Sequence, residues 1–159
     1  MTFRELTRKK KKLSQEECAA LLNTEKRGVL SVLGDGGYPY GTPINHWYDE
    51  AGGVLYFHCG RVGHRLDALR ACDKASFCCV GTPEDVEGSW AKRVRSVVAF
   101  GRVEIIDDRD KVVDITTKLC HKFTDDEAYI ARELEGFAPA TLLLALHIEH
   151  LCGKVVVEQ

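Results

Sequence analysis

The sequence has no long hydrophobic run. Its longest apolar stretch, residues 141–146, has the length of a strand. A membrane-spanning helix needs roughly 20 apolar residues, so no transmembrane segment is predicted. Residues 1–12 also lack an apolar core followed by a cleavage site, so we expect no secretory signal.

Charge of one sign is not in excess either. The chain carries 22 basic and 24 acidic side chains, a formal net charge of −2, which gives no support to a nucleic-acid partner. The seven cysteines are odd in number, and Cys78 and Cys79 are adjacent. Without an export signal, these cysteines predict a reduced, cytoplasmic protein whose thiols act as small apolar side chains.

Two common site motifs are absent. No C-x-x-C or H-x-x-x-H pair occurs, so the spacing predicts no metal site. The G-x-x-x-x-G-K-[ST] pattern of a phosphate-binding loop is missing as well.

The 159 residues are 45% hydrophobic and 29% charged, which is typical of one soluble globular domain over residues 1–159. Residues 1–12 form a polar arm that ends in five successive cations, Arg8 to Lys12. Such a run is either a solvated tail or a contact for an anion.

Local patterns predict a mainly β protein of the α+β class. Ser14 and Glu17 have the spacing of a helix capping box. The remaining helices are expected at 61–72, after Asp107 or Asp108, and at 125–134. Six strands are expected, joined mainly by short turns into an antiparallel barrel, with a bulge at Gly101: 29–33, 38–48, 54–59, 75–80, 94–106 and 141–152.

The segment from Tyr38 to Tyr48 is unusual for a strand. Pro39 and Pro43 are four residues apart, so the same strand edge lacks two N–H groups. The N–H groups of Gly41 and Asn45 then point along that edge and are left available. The segment is either an ordinary edge strand protected by proline or a backbone surface for a flat ligand.

A second informative segment joins a strand to a helix at residues 58–65. Arg61, His64 and Arg65 have the spacing of one helical face, where their charges would oppose the helix dipole. A bound anion would reverse that effect, and the alternative is that the cations are only solvated. His58 is either a structural histidine or a proton donor beside this site.

The order of these motifs resembles the flavin-binding split barrels related to pyridoxamine 5′-phosphate oxidase, most closely the nitroimidazole-resistance (Nim) proteins. The stretches that carry the resemblance are 3–5, 14–18, 34–45, 56–60, 63–69, 95–101 and 147–154. They span nearly the whole chain in the order expected of that family.

The resemblance implies a homodimer of six-stranded split β-barrels with peripheral helices, with FMN, or alternatively FAD, at the subunit interface. It places the isoalloxazine ring along Thr42, Pro43, Ile44 and Asn45. It places the phosphate at Cys59, His64 and Arg65, next to His58, and it puts Ser96 and Val97 on a flanking strand. Cys59 stands where relatives usually have Ser or Thr, and Arg65 where they usually have Lys.

The implied function is that of a flavin-dependent oxidoreductase, a nitroreductase-like enzyme acting on nitroimidazole-like small molecules. Reduced nicotinamide or another donor would supply the electrons to a small-molecule acceptor. No catalytic residue is assigned beyond the candidate His58. The alternatives are a non-catalytic flavin-binding protein and a heme-binding protein with a ligand among His58, His64, His147 and His150.

Overall fold

Short turns between β-prone runs produce one antiparallel sheet with four helices around it, which confirms the predicted α+β split barrel. A computed structural model describes residues 2–158, and Met1 and Gln159, the ends of the predicted domain, lie outside them. The strands are β1 (Arg27–Leu33), β2 (Pro39–Asn45), β3 (Trp47–Asp49), β4 (Val54–Gly60), β5 (Lys74–Val80), β6 (Glu84–Asp85), β7 (Lys92–Ile106) and β8 (Thr141–Glu158). The helices are α1 (Gln15–Thr24), α2 (His64–Ala71), α3 (Arg109–Cys120) and α4 (Glu127–Phe137).

Helix starts follow the capping residues. The Ser14 hydroxyl accepts from the Glu17 N–H at 3.1 Å, and the Glu17 carboxylate accepts from the Ser14 N–H at 2.8 Å, so the predicted box at α1 is confirmed. The Asp108 carboxylate caps α3 by accepting from the Lys111 N–H at 2.8 Å.

The structure has eight strands within residues 2–158 rather than the predicted six, because the strand expected over 38–48 is divided and the short β6 pairs with β7. Several boundaries also differ from the sequence expectation. The strand predicted over 38–48 breaks at His46, whose fully buried ring lies 2.8 Å from the Leu22 carbonyl. Helix α2 begins three residues later than expected, because Gly63 is its N-cap. Strand β8 continues past residue 152, since its second half pairs with the first half of β7.

The strand order is β2-β1-β5-β7-β8-β4-β3, with β6 paired to β7. Strand β2 therefore lies at one edge of the curled sheet, and its interior side packs toward the core. The predicted bulge occurs between Phe100 and Gly101. A Cβ atom at Gly101 would lie 2.0 Å from the His147 carbonyl oxygen, so only glycine fits there.

The main core fills the inside of the sheet, where Leu30, Phe57 and Phe77 are fully buried. A smaller cluster lies under α3, around Val112 and Ile115. Among residues 2–158, no helix combines the length and the apolar character that crossing a membrane requires.

Candidate functional site

One edge of β2 pairs with no other strand among residues 2–158. The Gly34 N–H donates to the Tyr38 carbonyl and the His46 N–H donates to the Lys26 carbonyl, at 2.8 and 3.3 Å. Hydrogen-bonded pairs alternate along an antiparallel ladder, so the even-numbered residues of β2 bond to β1. The odd-numbered residues turn their main-chain groups to the free edge, as predicted: Pro39, Gly41, Pro43 and Asn45.

The N-terminus of α2 lies against this strand. Gly63 adopts φ 135°, a conformation that favours glycine, and its carbonyl accepts from the Leu66 and Asp67 N–H groups. The half-buried Arg65 donates from Nε to the Thr42 hydroxyl at 3.0 Å. Its two terminal guanidinium nitrogens have no acceptor among the residues described, so they remain available to an anion.

The neighbouring His64 contacts the β1–β2 turn. Its ring stacks on Tyr40 with 4.1 Å between centroids, and its Nε2 lies 3.6 Å from Asp35 Oδ2. Asp35 and Tyr40 were not identified from the sequence as site residues. The short hairpin between β1 and β2 indicates that Asp35 and Tyr40 lie close to each other. It does not indicate that they lie close to His64.

A cleft of about 280 Å³ opens between β2 and β4, lined by Arg27, Pro43, Ile44, Asn45 and His58. The Arg27 Nε donates to Asn45 Oδ1 at 3.1 Å, which holds that amide at the mouth of the cleft. Sequence reasoning missed Arg27. The hairpin register, which pairs Arg27 with Asn45, is the signal that would have found it.

His58 lines this cleft from β4. Its Nδ1 is buried and has no hydrogen-bond partner within residues 2–158, and its ring lies 6.2 Å from that of Phe137. Burial, assisted by the charge of Arg65, lowers the pKa of His58. The ring is therefore neutral at neutral pH and offers one N–H and one acceptor nitrogen.

Cys59 is half-buried and packs against the main core. Burial raises the pKa of its thiol, while the charges of Arg65 and Arg70 act in the opposite direction. The side chain is therefore a neutral thiol, a weaker hydrogen-bond donor than the hydroxyl that the resemblance leads one to expect.

Eight of the ten residues expected at the cofactor converge on this region: Thr42, Pro43, Ile44, Asn45, His58, Cys59, His64 and Arg65. Ser96 and Val97 do not join them, because β1 and β5 separate their strand β7 from β2. The Val97 side chain is fully buried in the core. A second chain would have to bring its own β7 to the cleft for that strand to take part.

The expectation that Arg61 shares a helical face with His64 and Arg65 is wrong. Arg61 precedes α2 and forms a two-pronged ion pair with Asp107, with one N···O distance of 2.7 Å. Its Nε also donates to the Pro139 carbonyl at 3.2 Å. These distant partners hold the guanidinium away from the cleft.

Two larger clefts lie elsewhere. One of about 590 Å³ lies beside Phe3 and Phe100, and one of about 420 Å³ lies between α1 and the segment after β5. The smaller cleft at β2 is the chemical candidate, because it lies at the free edge of the strand whose Thr42 hydroxyl accepts from Arg65. Within residues 2–158, no group of three or more His, Cys, Asp or Glu side chains is placed to hold a metal ion.

Several solved structures share this fold. A candidate 5-nitroimidazole antibiotic resistance protein from Bacteroides thetaiotaomicron aligns at 17% identity with a TM-score of 0.77, covering 92% of this chain and 87% of that one. An FAD-binding protein from Mesorhizobium loti aligns at 23% identity with a TM-score of 0.63, covering 91% and 96%. An FAD- and heme-binding protein from Mycobacterium smegmatis aligns at 25% identity with a TM-score of 0.71, covering 91% and 72%.

Sequence comparison points the same way as the fold. No curated protein matches the chain. The family described as Pyridoxamine 5′-phosphate oxidase matches residues 14–155, a range that includes every residue of the candidate site. The chain therefore belongs to the pyridoxamine 5′-phosphate oxidase family.

Proposed function

We propose that this protein is a flavin-dependent oxidoreductase that holds FMN along the free edge of β2. One observation carries the proposal. The hydrogen bond from Arg65 to Thr42 joins the N-terminus of α2 to that edge, so a phosphate site and a planar backbone site are adjacent. A phosphorylated flavin has these same two parts, a flat polar ring and an anionic end.

The ring end of the site suits a planar heterocycle. The N–H groups of Gly41 and Asn45 point along the open edge, and Pro43 between them removes the N–H that would invite another strand. The unpartnered Nδ1 of His58 is a further polar atom that a ligand would satisfy. Isoalloxazine carries nitrogen and oxygen atoms around its rim that can pair with such groups.

The phosphate end suits a single phosphate. Arg65 keeps two terminal nitrogens free, and a helix N-terminus adds partial positive charge beside them. This compact set favours FMN. FAD is the alternative, supported by the FAD-binding proteins that share the fold.

When bound, the flavin would supply the electron transfer, and the protein would supply binding, orientation and electrostatics. Electrons would come from a reduced nicotinamide or another donor and pass to a small flat acceptor. A nitroaromatic of the nitroimidazole type is the acceptor we propose, supported by the likeness to the Bacteroides protein. His58 lines the cleft, and we assign its neutral ring the role of taking up and passing on a proton there.

A homodimer fits the exposed apolar surface. Val29, Leu33, Val80 and Phe100 are 39%, 51%, 54% and 36% exposed, and strand alternation puts them all on the outer face of the sheet. Clusters of exposed apolar side chains mark contact surfaces. A second copy covering this face would lie next to β2 and close the cleft.

Heme is the second candidate ligand, favoured by the likeness to a protein that binds both FAD and heme. Of the four histidines considered, His147 and His150 lie on β8 and do not line the cleft, whereas His58 lines it and His64 precedes Arg65 at the start of α2. A protein that holds flavin without turnover is the third candidate.

The absorption spectrum of the purified protein separates these candidates. We expect a flavin spectrum, whereas an intense Soret band would indicate heme and a colourless protein after FMN addition would refute the proposal. Consumption of reduced nicotinamide in the presence of a nitroimidazole then separates an enzyme from a flavin carrier.

The Arg65→Glu variant tests the phosphate assignment. Charge reversal should release the flavin, because a carboxylate would face the phosphate. Arg132→Glu on α4 is the matched control, since Arg132 is exposed and contacts Tyr129, away from the cleft. Full flavin occupancy in Arg65→Glu would place the phosphate elsewhere.

A further inference from the structure

His64 is held from two sides by residues of the β1–β2 hairpin. Tyr40 stacks on one face of the imidazole at 4.1 Å, with 29° between the ring planes. Asp35 Oδ2 lies 3.6 Å from Nε2, at the rim of the same ring. The stacking contact sets the plane of this exposed ring, and the nearby carboxylate favours the rotation that turns Nε2 toward the hairpin.

The hairpin turn is shaped to make this approach possible. Gly36 and Gly37 both have positive φ, and they let the chain turn tightly just after Asp35. A Cβ atom at Gly34 would lie 2.9 Å from Tyr40 Cβ and 3.3 Å from His64 Nε2. Glycine at position 34 thus lets the turn, Tyr40 and the imidazole pack together.

The contact with Asp35 also reduces the unfavourable interaction between positive side chains at the start of α2 and the helix dipole. A positive charge in the first turn of a helix is disfavoured by the dipole. A carboxylate beside the His64 ring offsets any charge on it, and Arg65 one residue later is engaged by Thr42. With Nε2 turned to Asp35, the other ring nitrogen, Nδ1, is left for a ligand.

We propose that Asp35 and Tyr40 are positioning residues that hold His64 as a second phosphate-binding side chain beside Arg65. The inference rests on the proposed flavin function. Both residues belong to the β1–β2 hairpin, whereas Cys59, whose thiol donates only weakly, lies on β4. The hairpin thereby determines how strongly the site prefers phosphorylated flavin over riboflavin, which lacks the phosphate.

Binding of FMN and of riboflavin, measured by flavin fluorescence, tests this for the wild type and for Asp35→Asn. We expect the variant to bind FMN about tenfold more weakly, since it weakens one of the charge-assisted contacts to the phosphate. Riboflavin affinity should change by less than about twofold, because riboflavin does not use that contact. Tyr40→Leu should shift the two affinities in the same way.

Two further variants separate positioning from a structural role. Asp35→Glu should recover most of the FMN affinity, because it restores a carboxylate. Asp67→Asn is the matched control: Asp67 is also in the first turn of α2, but it pairs with Arg70 at 3.2 Å and should leave binding unchanged. Equal losses for FMN and riboflavin in Asp35→Asn would indicate only a structural role and overturn the inference.

The outcomes also distinguish a failure of this inference from a failure of the proposed flavin function. A wild type that prefers FMN, with an unchanged preference in Asp35→Asn, refutes the positioning role and leaves the flavin function standing. A wild type that binds neither compound refutes both.

Discussion

At Gly101 the neighbouring backbone leaves no room for a side chain. A methyl group there would meet the His147 carbonyl oxygen at 2.0 Å. Gly101→Ala should therefore cost about 1–3 kcal/mol of unfolding free energy, because β7 and β8 must separate at the bulge. Urea unfolding measures the change.

Gly136→Ala is the control for that substitution. Gly136 lies in α4 with open space around its Cβ position, so alanine should stabilise the protein by about 0.5–1 kcal/mol. Equal changes in unfolding free energy for the two variants would show that backbone entropy, and not the clash with His147, determines the effect at position 101.

His46 is the buried residue whose titration limits stability in acid. A carbonyl can only accept, so Nε2, 2.8 Å from the Leu22 oxygen, carries the proton. Lys122 Nζ donates to the same oxygen at 3.2 Å, which places a positive charge nearby. Burial, and then the charge of Lys122, lowers the pKa of His46 to about 4.

The unfolded chain binds a proton at His46 with a pKa of about 6.5. Because the folded chain binds that proton only near a pKa of about 4, the stability present above pH 6.5 is lost as the pH falls from 6.5 to 4. The free energy of unfolding lost in this way is roughly 3 kcal/mol. Urea unfolding across this range should give a flatter pH dependence for His46→Gln than for the wild type. An unchanged slope in His46→Gln would contradict the assignment.

Most individual contacts at the site could not be predicted from the sequence. The free N–H groups of Gly41 and Asn45 follow from the spacing of two prolines, which is a local property. The pairing of Arg61 with Asp107 joins residues far apart in the chain, so the local helical spacing gave the wrong position for that guanidinium. The contact of His64 with Asp35 depends in the same way on how α2 packs onto the hairpin.

Elements were predicted well where their ends are set by adjacent residues. Helix α1 begins at its capping box, and α3 begins after Asp108, because a side-chain acceptor within three residues satisfies the free N–H groups. The predicted ends of strands were wrong where tertiary packing determines them. Strand β2 ends at Asn45 because the ring of the next residue, His46, is buried in the core, and β8 continues because β7 pairs with it.

The capping box of α1 gives a prediction at the scale of an element. Ser14→Ala should lower the unfolding free energy by about 1 kcal/mol, because the Glu17 N–H loses its acceptor. Ser14→Gly should cost only a few tenths of a kcal/mol, since glycine leaves the N–H open to water. Urea unfolding of the two variants side by side makes the comparison, and equal losses would mean that the hydroxyl does not cap the helix.

At the scale of the whole molecule, the proposed dimer contact on the outer face of the sheet would connect assembly to ligand binding. Val80 is 54% exposed on that face, and it follows Cys79, which points into the core. A charge at Val80 would be tolerated by a single chain, because the side chain already meets solvent there. In a dimer that covers this face, the same charge would be buried without a partner.

We therefore expect Val80→Glu to convert the proposed dimer into monomers of unchanged fold and to weaken FMN binding, because the cleft at β2 would lose the second copy proposed to close it. Sedimentation gives the mass, circular dichroism the fold, and flavin fluorescence the affinity. Tyr129→Glu, at a side chain 46% exposed on α4, is the matched control and should change neither mass nor affinity. A Val80→Glu monomer that binds FMN as tightly as the wild type would show that one chain forms the complete site, and a Val80→Glu dimer would move the contact to another face.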